Sequence, residues 1–496
     1  MRAIAGPECD LVVRGGTVVT AGSSAECDLG ISGGRISQLG GWMRGRREID
    51  ASGALVLPGG LDMHVHLSSS EPPEPGFPAW VDDFGSGSRA AIAGGVTTVG
   101  NMTFPADGQS MQDALARDLA AAAGTASVDH VLHPVMTSPS PEALAELPVL
   151  ASQGHMSLKL FMISDEFEAA AAGMIAAISI AGQLGMLTLL HCEDAALVRF
   201  SGEQLLAAGR GGLASWAESR PVLAERAAVD RAVAICEATG SPVYIVHLSS
   251  ESALDSARRA HARGLPVFVE TRPLYLYLTS AALQERDGGK YIGAPPLRDA
   301  ADVAAMWSGL ADGSIHTLGS DHAPWSLRDK IDGTLDVTTA RQGVADLETI
   351  MPMLFSAGVR AGRISLTRFV ELTSTNPARL FGLYPRKGTI AIGSDADLVV
   401  LDPQLRRTID GRSMHSRPKI SLVVKICPVM TGQILTTDWG SRLRQRNGGW
   451  KVTSLAATPA RRRAMRRPGP LLLLTSCAMG GVTQDRMLTA EHRPAG

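Results

Sequence analysis

From Pro58-Gly59-Gly60 onward the chain keeps to one alternation. Short, almost wholly apolar β-type runs are followed by Ala-rich stretches that are apolar at helical spacing. The runs are LDMHVHL, GVTTVGNM, DHVLHPVM, MSLKLFM, MLTLLHCE, PVYIVHLSS, LPVFVETRP and SIHTLGSDHAP. Between them lie segments such as MQDALARDLAAAAG and AERAAVDRAVAICEATG, each ended by Gly. Strands that are apolar on both faces belong in a parallel sheet covered by helices. Eight such βα units predict an α/β fold, a (β/α)8 TIM-type barrel, over residues 58–383.

The flanks follow another pattern. In residues 1–57, CDLVVRGGTVVT and CDLGISGGRISQLG read as short strands split by Gly-Gly, the pattern of hairpins. GTIAIGSDADLVVLDP, beyond the barrel, is strand-like again. The predicted partner of residues 1–57 is therefore the segment 384–418, the two chain ends forming one small β-sandwich. In residues 419–496 the order disappears, and a poorly ordered tail is expected there.

Composition narrows the class. Hydrophobic residues are 45% and charged residues 19%, enough for a packed core. No apolar run reaches the roughly 18 residues of a membrane-spanning helix, and the N-terminus has no apolar signal core. The six cysteines lack CxxC spacing and fit reduced thiols. A cytoplasmic protein without a membrane partner is expected. The net charge of −2 conceals an asymmetry: residues 419–496 carry 13 Lys+Arg against 3 Asp+Glu, while residues 1–418 carry 34 against 46. An acidic body excludes a nucleic-acid partner.

The chemistry lies in where polar residues interrupt the strands. His64 and His66 are two apart on one predicted strand and face the same way. His191 follows MLTLL, His247 follows PVYIV, Asp321 follows HTLGS, and Lys159 sits in MSLKLFM. Singly, each has an ordinary reading, a hydrogen-bonded packing residue or an ion-pair partner. That reading is kept for His130, His133, His155, His261, His316 and His415. Together, the His and Asp residues fall at the C-terminal ends of strands one, five, six and eight, the catalytic rim of a barrel. Four imidazoles and a carboxylate suit a divalent ion such as Zn²⁺. A second ion needs one more anionic ligand, which a neutral lysine supplies by adding CO₂ to become a carbamate. Two such ions would make a bridging hydroxide nucleophilic at neutral pH.

GGLDMHVHL, SLKLFM, LLHCED, YIVHLSS, KYIGAPPLR, GSDHAPW and STNPARLFGLYPRKGTIAIGSDADLVVLDP together resemble the cyclic amidohydrolases, in the D-hydantoinase and dihydropyrimidinase branch. The resemblance spans about residues 9–417. It implies hydrolysis of a small cyclic amide or ureide at a binuclear centre, and a homo-oligomer, dimer or tetramer. His64, His66 and Asp321 would hold one ion and His191 and His247 the other, bridged by carbamylated Lys159. Asp321 would be the general base. The resemblance also assigns substrate contacts. Ser164 stands where hydantoinases usually carry a tyrosine, while Ala294 and Thr339 match positions whose backbone binds the ring amide. Arg341, near the presumed substrate loop, is a partner for an anionic substituent or a surface residue. Dihydroorotases follow their HxH with an arginine where this chain has Leu67-Ser68. Allantoinase and dihydroorotase remain as alternatives, as does a non-catalytic scaffold of the same fold, although the full ligand set opposes a scaffold.

Overall fold

The computed structural model describes residues 8–67 and 79–418, with three short strands beyond them, Ile426–Pro428, Ile434–Thr436 and Val452–Ser454. Eight strands carry the site: β1 (Gly60–Val65), β2 (Val96–Thr103), β3 (Asp129–Pro134), β4 (Ser157–Phe161), β5 (Leu187–His191), β6 (Val243–Ile245), β7 (Val267–Thr271) and β8 (Thr317–Leu318). β1, β2 and β3 pair in parallel, and β4 to β8 form a second parallel run in chain order. Single parallel bridges, Val135 to Lys159 and Val65 to His322, link the two runs. All eight residues of β2 are buried, as two covered faces require.

Helices form in both segments singled out by their spacing, Met111–Ala122 and Val222–Thr239. Val222–Thr239 buries its Ala228, Val229, Ala232 and Cys236 face and ends at Gly240, whose φ of +67° suits glycine. Ala300–Asp312 begins at Asp299, whose carboxylate accepts from the Ala301 and Asp302 amides, and stops at Gly313. No helix among the described residues is long and apolar enough to cross a membrane.

The N-terminal strands lie in two sheets. One has the order Arg35–Leu39, Leu29–Ser32, Glu8–Arg14, Arg44–Asp50. In the other, Leu398–Leu401 runs antiparallel to Leu55–Pro58, with Val399 opposite Leu57, and Ile434–Thr436 adds to its far side. Leu11, Leu29, Ile31, Val56, Leu398 and Val400 share one apolar core. One sequence expectation needs correcting. Gly33-Gly34 does turn a hairpin, but Gly15-Gly16 does not. There the chain leaves one sheet and joins the other. Gly15 takes φ +69°, and a Cβ on Gly16 would lie 2.5 Å from Val56, so the glycines permit a close crossing instead of a tight turn. Apart from the three strands named, the tail expectation falls outside the described residues.

At the N-terminal end of β3, the buried Lys387 ammonium meets Asp129, Asp395 and Asp397. This cluster ties the parallel strands to the returning segment.

Candidate metal centre

At the other end of the strands the sequence-singled residues converge. His64 lies within β1 and His66 just past it, so both imidazoles project to one side. Their Nε2 atoms lie 3.3 and 3.0 Å from Asp321 Oδ1. His191 ends β5 and His247 follows β6, with ring centroids 4.6 Å apart, and His247 is 5.3 Å from His64. Lys159, fully buried on β4, has its Nζ 4.5 Å from the centre of the Phe161 ring. His247 and Asp321 have φ of +41° and +50°, left-handed backbone that a side-chain-bearing residue adopts at a cost.

Several polar atoms in this cluster have nothing to bond. His64 Nε2, His66 Nδ1, His247 Nδ1 and Lys159 Nζ are buried without a hydrogen-bond partner, the His64 contact with Asp321 being too poorly aligned to be one. Each such group costs about 1–3 kcal/mol, so a concentration of them calls for a ligand. Burial pushes Lys159 down to about 8 and His66 down to about 4, and it lowers His191 and His247 too. Although burial opposes it, Arg272, His64 and His66 hold the Asp321 carboxyl well below the usual range. Imidazoles that resist protonation at His66, His191 and His247, an ionised carboxylate and an amine that gives up its proton more readily than an ordinary lysine suit a divalent ion. His64, His66 and Asp321 offer ligand atoms within 4.8 Å of one another.

An outer layer that the sequence reading missed orients these groups. Glu270 Oε1 sits 2.7 Å from His64 Nδ1 and accepts the His247 amide at 3.0 Å, while Oε2 accepts from the Tyr244 hydroxyl. Glu193 pairs with His191 Nε2 at 2.8 Å and is itself gripped by Arg220. Asp62 accepts the His64 and Ser320 amides, and Asn101 accepts the Leu67 amide. His322 Nε2 meets Asp82, which also takes the Ser416 hydroxyl and the Arg417 amide. Glu193 and Glu270 stand at predicted strand ends, so the signal that found the histidines was available for them.

The substrate contacts expected from the resemblance have structural duties of their own. Ser164 Oγ accepts the Phe167 amide at 3.1 Å and caps the helix Asp165–Ala169. Ala294 is buried beside Gly293. Thr339 is exposed, and its amide donates to Asp336 Oδ1 at 3.0 Å in a local turn. Arg341 stacks over Trp325, 5.4 Å from the ring centre. Trp80 and Phe104 approach the His66 ring, at 4.7 and 5.9 Å, and give the cluster an apolar wall. Of the remaining histidines, His133 bonds Ser157, His316 accepts the Val269 amide, and His415 meets Glu348.

Residues 55–432 match the family model described as the Amidohydrolase family. The chain is 36% identical over 419 residues to a D-hydantoinase of Rhizobium radiobacter, covering 82% of this chain and 89% of that protein. Among solved structures, the D-hydantoinase from Bacillus sp. AR9 superposes with a TM-score of 0.79 at 37% identity, covering 84% of this chain and 92% of the other. The dihydropyrimidinase from Brevibacillus agri NCHU1002 does so with 0.78 at 35%, with the same coverage of 84% and 92%.

Proposed function

This chain belongs to the amidohydrolase family, and from that premise we propose that it opens hydantoin- or dihydropyrimidine-type rings by metal-dependent hydrolysis. It is a hydrolase of cyclic amides; the hydantoinase relatives disfavour the allantoinase, dihydroorotase and scaffold alternatives. The observation that carries the detailed reading is the knot of buried, unpartnered nitrogens on His64, His66, His247 and Lys159 around an ionised Asp321. In this reading His64, His66 and Asp321 would hold one ion and His191 and His247 the other, with a CO₂-derived carbamate on Lys159 as the shared anionic ligand and Zn²⁺ the best match to the donor set. The eight parallel strands, with the bridges Val135–Lys159 and Val65–His322 between their two runs, support a closed barrel over residues 58–383. The pairing of Leu398–Leu401 with Leu55–Pro58 supports a sandwich built from residues 1–57 and 384–418.

When bound, a pair of divalent ions supplies an activated water and polarises the scissile carbonyl. The side chains do the rest. Glu270 fixes the His64 ring through Nδ1, which leaves Nε2 as its ligand atom, and Glu193, fixed by Arg220, does the same for His191 through its Nε2. Asp321 takes the proton of the attacking water and passes it to the ring nitrogen as the carbon–nitrogen bond opens, leaving a carboxylate and a free N–H. Trp80 and Phe104 shield that exchange from bulk water. Backbone groups at Ala294 and Thr339 are the proposed ring contacts, the latter limited to its carbonyl because its amide is engaged.

The test is metal analysis of the purified protein with hydrolysis of a panel holding a hydantoin, dihydrouracil, allantoin and dihydroorotate. Uptake of about two divalent ions per chain and ring opening of the first two are expected. A protein that takes up no divalent ion overturns the reading.

A further inference from the structure

β7 and the residue just past its end, Arg272, supply outer contacts to both sides of the His64–His66–Asp321 cluster. Glu270 reaches His64 and His247, and Arg272 reaches Asp321. The Arg272 guanidinium is wholly buried. Its Nη1 donates to Asp321 Oδ2 at 2.8 Å and its Nη2 to Asp346 Oδ2 at 3.3 Å. The carboxylate is thus divided, because its other oxygen, Oδ1, faces His66 Nε2 at 3.0 Å. The surroundings are built for this fork. A Cβ on Gly293 would stand 3.0 Å from Nη1, and the Tyr275 ring lies 5.7 Å from the guanidinium carbon. Asp321 itself sits in left-handed backbone, which persists where neighbours over-determine it.

We propose that Arg272 is a positioning residue that acts through Asp321, tying down Oδ2 so that the carboxylate presents Oδ1 alone to a divalent ion shared with His64 and His66. The inference rests on the metal-hydrolase reading above and adds a residue to it. A catalytic metal site works by keeping one coordination position open. A carboxylate free to rotate would chelate through both oxygens and fill that position. The planar fork spans Asp321 and Asp346 at once, which the point charge of a lysine cannot do.

Wild type, Arg272→Met, Arg272→Lys and Asp346→Asn are to be reconstituted with Co²⁺ and compared by visible absorption, Co²⁺ content and hydantoin hydrolysis. The expected Arg272→Met protein binds Co²⁺ fully but shows weaker d–d bands, the mark of a higher coordination number. Its kcat falls about 10–100-fold, as for other residues that orient a metal ligand, with KM unmoved. Arg272→Lys recovers part of the kcat, and Asp346→Asn, which loosens one end of the clamp, shifts both readouts in the same direction but less. Should Arg272→Met not fold, Asp346→Asn decides by the same measurements. A folded variant with an unchanged Co²⁺ spectrum overturns the clamp, whatever its kcat. Failure of wild type to take up Co²⁺ is a different result and strikes the metal-hydrolase reading itself.

Discussion

Two buried lysines, one at each end of the parallel strands, have opposite surroundings. Lys387 is met by three carboxylates, and although burial opposes it, Asp397, Asp129 and Asp395 hold its ammonium well above the ordinary lysine range. Lys159 has no hydrogen-bond partner, and burial takes it down to about 8. The carboxylates around Lys387 are themselves close enough to suggest a metal site, yet the ammonium among them already supplies the cation. Proximity of ligand types therefore does not separate structure from chemistry here. Satisfaction does: the satisfied cluster holds two parts of the fold together, and the unsatisfied one carries the groups proposed to bind metal.

The largest effect expected from breaking this contrast is at Lys159. Lys159→Ala should lower turnover by more than the roughly 100-fold typical of outer-layer substitutions and reduce metal content, with partial rescue by short carboxylic acids. Near-wild-type turnover would remove the bridging role. The contrast also has a pH signature. Addition of CO₂ requires the neutral amine, so reactivation of metal-free protein with Zn²⁺ at a fixed concentration of dissolved CO₂ should quicken as pH rises and level off above about 8. A rate independent of pH between 6 and 9 would mean that Lys159 is not the group titrating.

Next in size is Asp321→Asn, which should keep most of the fold, by circular dichroism, while removing the proton shuttle. At the opposite end, Lys387→Met should leave per-folded-molecule activity intact and cost about 3–5 kcal/mol in urea unfolding, the penalty for stranding buried partners. Because the folded pKa of Lys387 is raised, its stabilisation is full below the unfolded value of 10.5 and fades only as pH climbs beyond it. The stability difference between wild type and Lys387→Met should therefore stay flat from pH 7 to 9. The smallest expected effect is at Ser164→Tyr. Losing the helix cap costs about 1 kcal/mol, while the added hydroxyl should raise activity on simple 5-substituted hydantoins. No gain in kcat would show that the pocket uses a different oxyanion donor.

The same contrast explains what was legible in the sequence. His64, His66, His191 and His247 stood out because a histidine ending an apolar strand breaks a pattern, and the strand order brings such ends together. Arg272 and Asp346 did not stand out, since their meaning lies in a contact across 74 positions, between the residue after β7 and the loop after β8. Gly15-Gly16 misled for a related reason: a dipeptide permits a turn but does not specify which strands flank it. Thr339 was placed through resemblance, which could not show that its amide is already taken by a turn residue three positions away.

The left-handed backbone at His247 sets stability against selection for function. At φ +41° a glycine or asparagine would sit more comfortably than an imidazole, and the buried, unpartnered Nδ1 would vanish with the ring. Directed evolution scored on thermal stability of the metal-free protein alone should drift this position toward Gly or Asn, discarding the proposed ligand while improving the fold. A library scored on activity should keep histidine there and repair stability elsewhere, so the two screens diverge at a single codon.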